Sequence, residues 1–255
     1  MRHDLYAELF QLEGHHFWHR TKRALVLDAV VAVERARGGP GRALELGCGA
    51  GRLQEELAAR GWEAWGSDHS PQALAFCRQR GLTRLVEHDA TRPLPGELGR
   101  FDLILALDLL EHLKDDEGAL LAWREALAPG GHVLLHVPAH PGLFGYWDTM
   151  LGHQRRYRRQ ELRAVCARSG LEVLRLTPTF AWLLPPAAAF RALRRGADPT
   201  RASSDFAFAP APLNALLAAL GALEARWLRE HDLPFGLSLL ALCRRVEDAP
   251  REQAA

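Results

Sequence analysis

The chain has 255 residues, a length that fits one to two domains at roughly 150 residues each. Its 48% hydrophobic and 25% charged residues match an ordinary globular composition and exclude a disordered or collagen-like chain. With 32 basic and 31 acidic side chains the net charge is +1, too weak a field to hold nucleic acid through its phosphates.

Residues 1–20 contain no apolar run that reads as a secretory signal, so the expected location is the cytoplasm. A helical pattern covers 21–37, and residues 1–40 read as an N-terminal helical lid region within a single domain over 1–255. Short apolar segments at 42–46, 63–67, 83–88, 101–106 and 132–137 suit buried strands. Helical patterns at 52–60, 71–80 and 115–128 lie between them, the second opened by Ser70 as N-cap with Pro71 behind it, the third closed by Pro129-Gly130-Gly131. Parallel strands with helices on both faces follow from that alternation. A helix over 159–168 precedes strands at 171–176 and 236–243. About 60 residues separate those last two strands, far more than a hairpin needs, so 180–234 reads as a helical cap insertion. Within it 213–229 has helical spacing, and 181–193 is an apolar stretch broken at Pro185-Pro186. Cys48, Cys77, Cys166 and Cys243 show no paired spacing for zinc or redox chemistry, so reduced thiols are expected.

The strongest local signal is Glu45-Leu46-Gly47-Cys48-Gly49-Ala50-Gly51, set between a predicted strand and a predicted helix. A sharp turn that lets a ligand touch the backbone excludes Cβ atoms, and the helix behind it offers free N–H groups to a negative group. Asp68 ends the next strand, where a carboxylate in a nucleoside-binding sheet accepts ribose hydroxyls, and Asp89 ends the third. The dinucleotide fingerprint is the rival reading, but its third glycine would fall on Arg52.

In this order the motifs resemble the class I S-adenosylmethionine-dependent methyltransferases. The likeness runs on through Asp89, through 101–106 followed by Leu110-Glu111-His112-Leu113, and through Leu127-Ala128-Pro129-Gly130-Gly131. It implies an α/β fold: a doubly wound, mostly parallel seven-stranded Rossmann-like sheet with a helical insertion before the last strand. It also implies S-adenosylmethionine as cofactor, with the Gly47, Cys48, Gly49 and Gly51 backbone under the methionine part, Asp68 on the ribose and Asp89 at the adenine amine. Glu45, His69, Ala90 and Leu107 belong to the same expected cofactor-binding set. Gly130 and Gly131 read as a plain turn.

For the methyl acceptor, a base near an aligned nucleophile is the main requirement. His112, just past the fourth strand, is one base candidate, its alternative being simple packing in the following turn. The run Tyr146-Trp147-Asp148 with Gly152-His153-Gln154-Arg155-Arg156-Tyr157 resembles a bacterial branch of the same enzymes, which adds Asp148 and His153 as catalytic candidates and Arg156 and Tyr157 as substrate contacts. An exposed basic face is the other reading of the arginines. The segment Glu13-Gly14-His15-His16-Phe17-Trp18-His19-Arg20 also resembles that branch and makes Trp18 a lid residue over the substrate. His15 and His19 lack an intervening Glu and a third ligand, so no metal is expected.

The expected activity is methyl transfer to a small-molecule or lipid- or glycan-linked acceptor. The alternatives are a nicotinamide-dependent oxidoreductase, opposed by Arg52, and a catalytically inactive cofactor-binding subunit, opposed by His112 and His153. Arg155 and Arg156 beside Trp182, Leu183, Leu184 and Phe190 suggest an acceptor with an anionic group and an apolar body. Residues 206–223 carry no charge, but Pro210, Pro212, Asn214 and Gly221 argue against a membrane span. The helix there is expected to consume its apolar face in packing, leaving a soluble protein with at most peripheral membrane contact.

Overall fold

The computed structural model describes residues 10–193 and 210–247. Residues 1–9 of the expected lid, 194–209 of the expected cap and the polar tail after Glu247 lie outside the described residues.

Seven strands form one sheet: β1 (Arg42–Leu46), β2 (Glu63–Asp68), β3 (Leu85–Glu87), β4 (Phe101–Leu107), β5 (Leu127–Pro138), β6 (Leu171–Thr179) and β7 (Ser238–Arg245), in the spatial order β3-β2-β1-β4-β5-β7-β6. Six run in one direction, β1 to β5 in parallel pairs, while β7 runs antiparallel to its neighbours β5 and β6. The order reverses between β1 and β4, the switch point where an open sheet leaves a crevice beyond its C-terminal strand ends.

Alternation along the strands feeds two cores. Ala43, Leu103, Leu105 and Leu134 point to the side covered by α1 (Phe17–Arg37), where Leu25, Val26, Val30 and Val33 are buried, and by α2 (Arg52–Ala59) through Leu53 and Leu57. Leu44, Leu46, Ile104 and Ala106 face the opposite layer of α4 (Asp116–Glu125), with Leu120 and Trp123, and α6 (Arg159–Arg168), with Leu162 and Val165. Between those layers in sequence, α3 (Pro71–Gln79) packs Leu74 and Cys77 against Cys48 of the glycine loop. Its N-cap is as expected, the Ser70 hydroxyl accepting the Ala73 N–H with Pro71 in the first turn. All four cysteines are buried free thiols.

Two boundaries differ from the sequence reading. The Ala128 to Gly131 turn is a bulge inside β5, because Phe101 pairs with Leu127 and Leu103 already pairs with His132. Pro185 and Pro186 do not break a helix: they occupy the first turn of α7 (Leu184–Leu193), where their missing N–H groups have no partner to lose. The short α5 (Tyr146–Leu151) follows β5, and α8 (Ala211–Leu228) lies along α1.

The expectation that α8 uses up its apolar surface in packing is corrected. Gly221, Glu224, Ala225 and Leu228 are its buried face. Leu213, Leu216, Leu220, Leu223 and Trp227, at helical spacing on the other face, are 36–64% exposed. Among the described residues no helix is long and apolar enough to cross a membrane.

Candidate active site

The crevice at the switch point is a cavity of about 1310 Å³, larger than the roughly 300–1,000 Å³ of single-ligand pockets and so roomy enough for two. The glycine loop floors one end. Gly47 and Gly49 have φ of 66° and 55°, left-handed values that cost a side chain strain. A Cβ built on Gly49 would meet only a Glu13 carboxylate oxygen at 3.9 Å, so the space above the loop is open to a ligand. Asp68 is buried, and its two oxygens accept the N–H groups of Gly49 at 3.1 Å and Ser70 at 2.9 Å. Glu45, on β1 just before the loop, lines the cavity with one carboxylate oxygen unpartnered, and burial, then the Glu13 charge, push its pKa well up. Asp89 is half exposed and held below its ordinary pKa by the Thr91 N–H and hydroxyl.

Of the residues named from the sequence, Glu45, Gly47, Cys48, Gly49, Asp68, His69, Asp89, Ala90 and Leu107 all line the cavity. Gly51 does not. It is the left-handed N-cap of α2, and a Cβ there would strike Leu82 and Cys77, so its role is close packing of loop on helix.

At the other end stand two imidazoles. His112, in the 3-10 turn Leu110–His112, and His153, after the α5 helix, pack edge to face with ring centres 4.6 Å apart, and both line the cavity. Burial, then His153, lowers the His112 pKa to about 4, so it is neutral at physiological pH. His153 Nδ1 lies 2.9 Å from Asp148 Oδ1. Asp148 is fully buried and off the cavity wall, which corrects its reading as a group acting directly on substrate. Its carboxylate accepts His153, Arg156 at 2.8 Å, Arg191 at 2.7 Å and the Gly145 N–H at 2.9 Å. Burial opposes its ionisation, but those hydrogen bonds and charges win and hold its pKa well down. An ionised carboxylate only accepts, so His153 donates through Nδ1, the tautomer in which a neutral ring keeps its lone pair on Nε2.

The basic loop is also corrected. Arg156 lines the cavity but its guanidinium is bonded to Asp148 and to the Ala139 carbonyl. Arg155 is tied to Asp116 at 2.8 Å and to the Leu113 and Lys114 carbonyls. Neither fork is open to a phosphate. Tyr157 is buried off the cavity, donating its hydroxyl to Asp116 at 2.8 Å, which makes it a packing residue. Trp18 lines the cavity, stacked on Phe180 at 4.1 Å.

Four cavity residues escaped the sequence reading. Asp108, directly past β4 with φ of 53°, accepts Lys22 Nζ at 2.7 Å and pairs with His136 Nδ1 at 2.7 Å. Burial raises its pKa, but Lys22 and His136 more than reverse that. Glu111 is fully buried, neither of its oxygens has a hydrogen-bond partner, Oε1 lies 3.9 Å from His153 Nε2, and burial followed by the Asp108 charge pushes its pKa well above the usual range. Glu13 and Lys22 line the cavity from the N-terminal side. Glu111 stood inside the quoted Leu110 to Leu113 motif, and its apolar flanks were the signal of its burial. The other three meet only through folding. Glu111, His112 and His153 also offer one ligand atom each within 4.8 Å of one another, a set able to hold a divalent ion.

Residues 17–176 match the model of a methyltransferase domain family. Among curated proteins, the ubiquinone biosynthesis O-methyltransferase of Alkalilimnicola ehrlichii is 39% identical over 98 residues, 36% of this chain and 40% of that one. The chain thus spans about two fifths of the length of the curated relatives it matches. Two solved structures share the fold. The N-methyltransferase NodS from Bradyrhizobium japonicum WM9, in complex with S-adenosyl-L-homocysteine, has a TM-score of 0.55 at 18% identity over 93% of this chain and 91% of its own. The putative methyltransferase in complex with the Haloferax volcanii Trm112 activator has 0.60 at 19% identity over 96% of each. With the family model covering more than half of the sequence, the chain belongs to the methyltransferase domain family.

Proposed function

We propose that this methyltransferase uses S-adenosylmethionine to methylate a hydroxyl oxygen of a small, largely apolar acceptor, free or lipid-linked, in the cytoplasm. The observation that carries the reading is one cavity with a glycine floor and Asp68 at one end and the Asp148-oriented His153 at the other. The names of the curated relatives support an oxygen acceptor. Four free thiols suit a reducing compartment.

The cofactor, when bound, supplies a sulfonium-borne methyl group already activated for displacement. What remains for the protein is alignment and one proton. Gly47 and Gly49 let the backbone approach the methionine part, and Asp68 accepts the ribose hydroxyls. Leu183, Pro186, Ala187, Phe190 and Leu213 present an apolar wall to the acceptor body and exclude water from it. His153 Nε2 would take the proton that the acceptor hydroxyl gives up on methylation. Asp148 fixes the ring and stabilises the imidazolium that results.

His153→Ala should lower kcat by about 10²–10⁴-fold while leaving the affinity for S-adenosylhomocysteine unchanged. An unchanged kcat would move the base to His112 or dispense with one. The unpartnered Glu111 carboxyl favours a second reading, in which Glu111, His112 and His153 hold a divalent ion that orients the acceptor oxygen. Dialysis against a chelator separates the two: retained turnover supports the base, and loss restored by added metal supports the ion.

A further inference from the structure

The segment leading into α1 is strapped across the glycine loop. The Phe10 ring stacks on Phe76 of α3 at 4.8 Å, and the Arg80 guanidinium lies 4.5 Å over the same ring. Arg80 also reaches the Glu13 carboxylate at 3.4 Å, and Arg23 of α1 donates to the Glu13 carbonyl. Held at its carbonyl by Arg23 and at its carboxylate by Arg80, Glu13 lines the cavity above Gly49, where it accepts the Ala50 N–H.

Glu45 approaches the same gap from β1, 7% exposed and with Oε2 unpartnered. The two buried acids repel one another, each standing above its ordinary pKa chiefly through burial. The cations around them do not cancel that. Lys22 acts on both, but its ammonium is bonded to Asp108, while Arg80 also serves Glu55 and Arg23 also serves Glu56. Two carboxylates converging over a floor without side chains, one of them with an unused acceptor, make a hole shaped for one small hydrogen-bond-donating cation. A cofactor lying with its ribose on Asp68 and its methionine end over Gly49 carries such a group.

We infer that Glu13 is a cofactor-binding residue that closes over the methionine end of S-adenosylmethionine and, opposite Glu45, accepts its α-ammonium. The assignment rests on the cofactor reading above. It gives the strap a chemical purpose: the cofactor fills the gap and relieves the repulsion, so the strap closes more tightly when the site is loaded.

Calorimetric titration of the wild-type chain and Glu13→Gln with two ligands tests this. S-adenosylhomocysteine keeps the amino-acid end, and 5′-methylthioadenosine keeps the nucleoside but lacks that end. Losing a charged acceptor should weaken S-adenosylhomocysteine binding by about 10- to 150-fold and leave methylthioadenosine unchanged. Equal S-adenosylhomocysteine affinity in both chains overturns the assignment. So does an equal loss for both ligands, which would make Glu13 a structural clamp on the strap. If wild type binds neither ligand, the cofactor reading fails and this assignment goes with it.

Discussion

Asp68 ends β2 with both carboxylate oxygens already on backbone N–H groups, so it shapes the glycine loop and faces the ligand at once. Asp68→Ala should therefore cost more than a ribose contact, because the Gly49 amide loses its acceptor too. A weakening of S-adenosylhomocysteine binding by about 10- to 150-fold is expected, read by calorimetry with circular dichroism as the folding control. Tight binding in a folded variant would take the ribose elsewhere. A second residue-scale effect concerns pH. His112 titrates near 4 in the fold against about 6.5 in an unfolded chain, so between those values the unfolded state binds a proton that the native state refuses. The stabilisation is complete above pH 6.5 and is lost as pH falls toward 4. Glu45 and Glu111, whose pKa values are raised, act in the opposite sense, so the difference between chains is the clean measurement. The urea midpoint of wild type should fall more between pH 7 and pH 5 than that of His112→Asn. Parallel slopes would mean that His112 is not shielded from protons.

At the scale of elements, the contact of α8 with α1 and with the end of β6 decides whether the cavity has a wall. Gly221 is where α8 meets Thr21 of α1, and a Cβ there would overlap the threonine side chain. One turn on, the Glu224 carboxylate turns inward to accept the N–H groups of Phe180 and Ala181, fixing the residue with φ of 58° that stacks on Trp18. Gly221→Val should destabilise the fold by about 1–3 kcal/mol through overpacking in thermal or urea unfolding. No change would show that the two helices part freely. Neither contact was legible in the sequence, where Gly221 read only as an argument against a membrane span. What was legible followed local patterning and end chemistry: the short apolar runs of β1, β2 and β4, the Ser70-Pro71 start of α3 and the glycine loop all announce themselves within a few residues. Pro185-Pro186 misled because a proline pair marks a helix start and a helix break alike, and only the neighbouring chain tells which.

Across the whole molecule the same division holds for the site. Asp148 and His153 sit five residues apart and were visible as a pair, although their roles were not: the fold buries the carboxylate among two arginines and leaves only the imidazole on the cavity. Lys22, Asp108 and His136 come from α1, the end of β4 and β5, and nothing in one-dimensional spacing joins them. The surface carries the last consequence. Leu216 at 58%, Leu223 at 64% and Trp227 at 54% exposure extend an apolar stripe from Leu213, which lines the cavity mouth, toward Arg226 and Arg229 at the far end of α8. With Glu224 turned inward, Arg226 is the exposed charge within that helix, and just past its end Arg229 is paired with Asp28 at 3.0 Å. A stripe that begins at the mouth and runs to Arg226 suits a bilayer with anionic headgroups, the source from which a lipid-linked acceptor would enter under α7. Flotation with phosphatidylcholine vesicles and with vesicles containing an anionic lipid should show retention on the anionic set. The double variant Leu216→Glu with Leu223→Glu should stay at the bottom of the gradient while binding S-adenosylhomocysteine as wild type does. Absence of the wild-type chain from both vesicle fractions, or equal flotation of the variant, would detach the acceptor from the membrane and leave a freely diffusing molecule as the substrate.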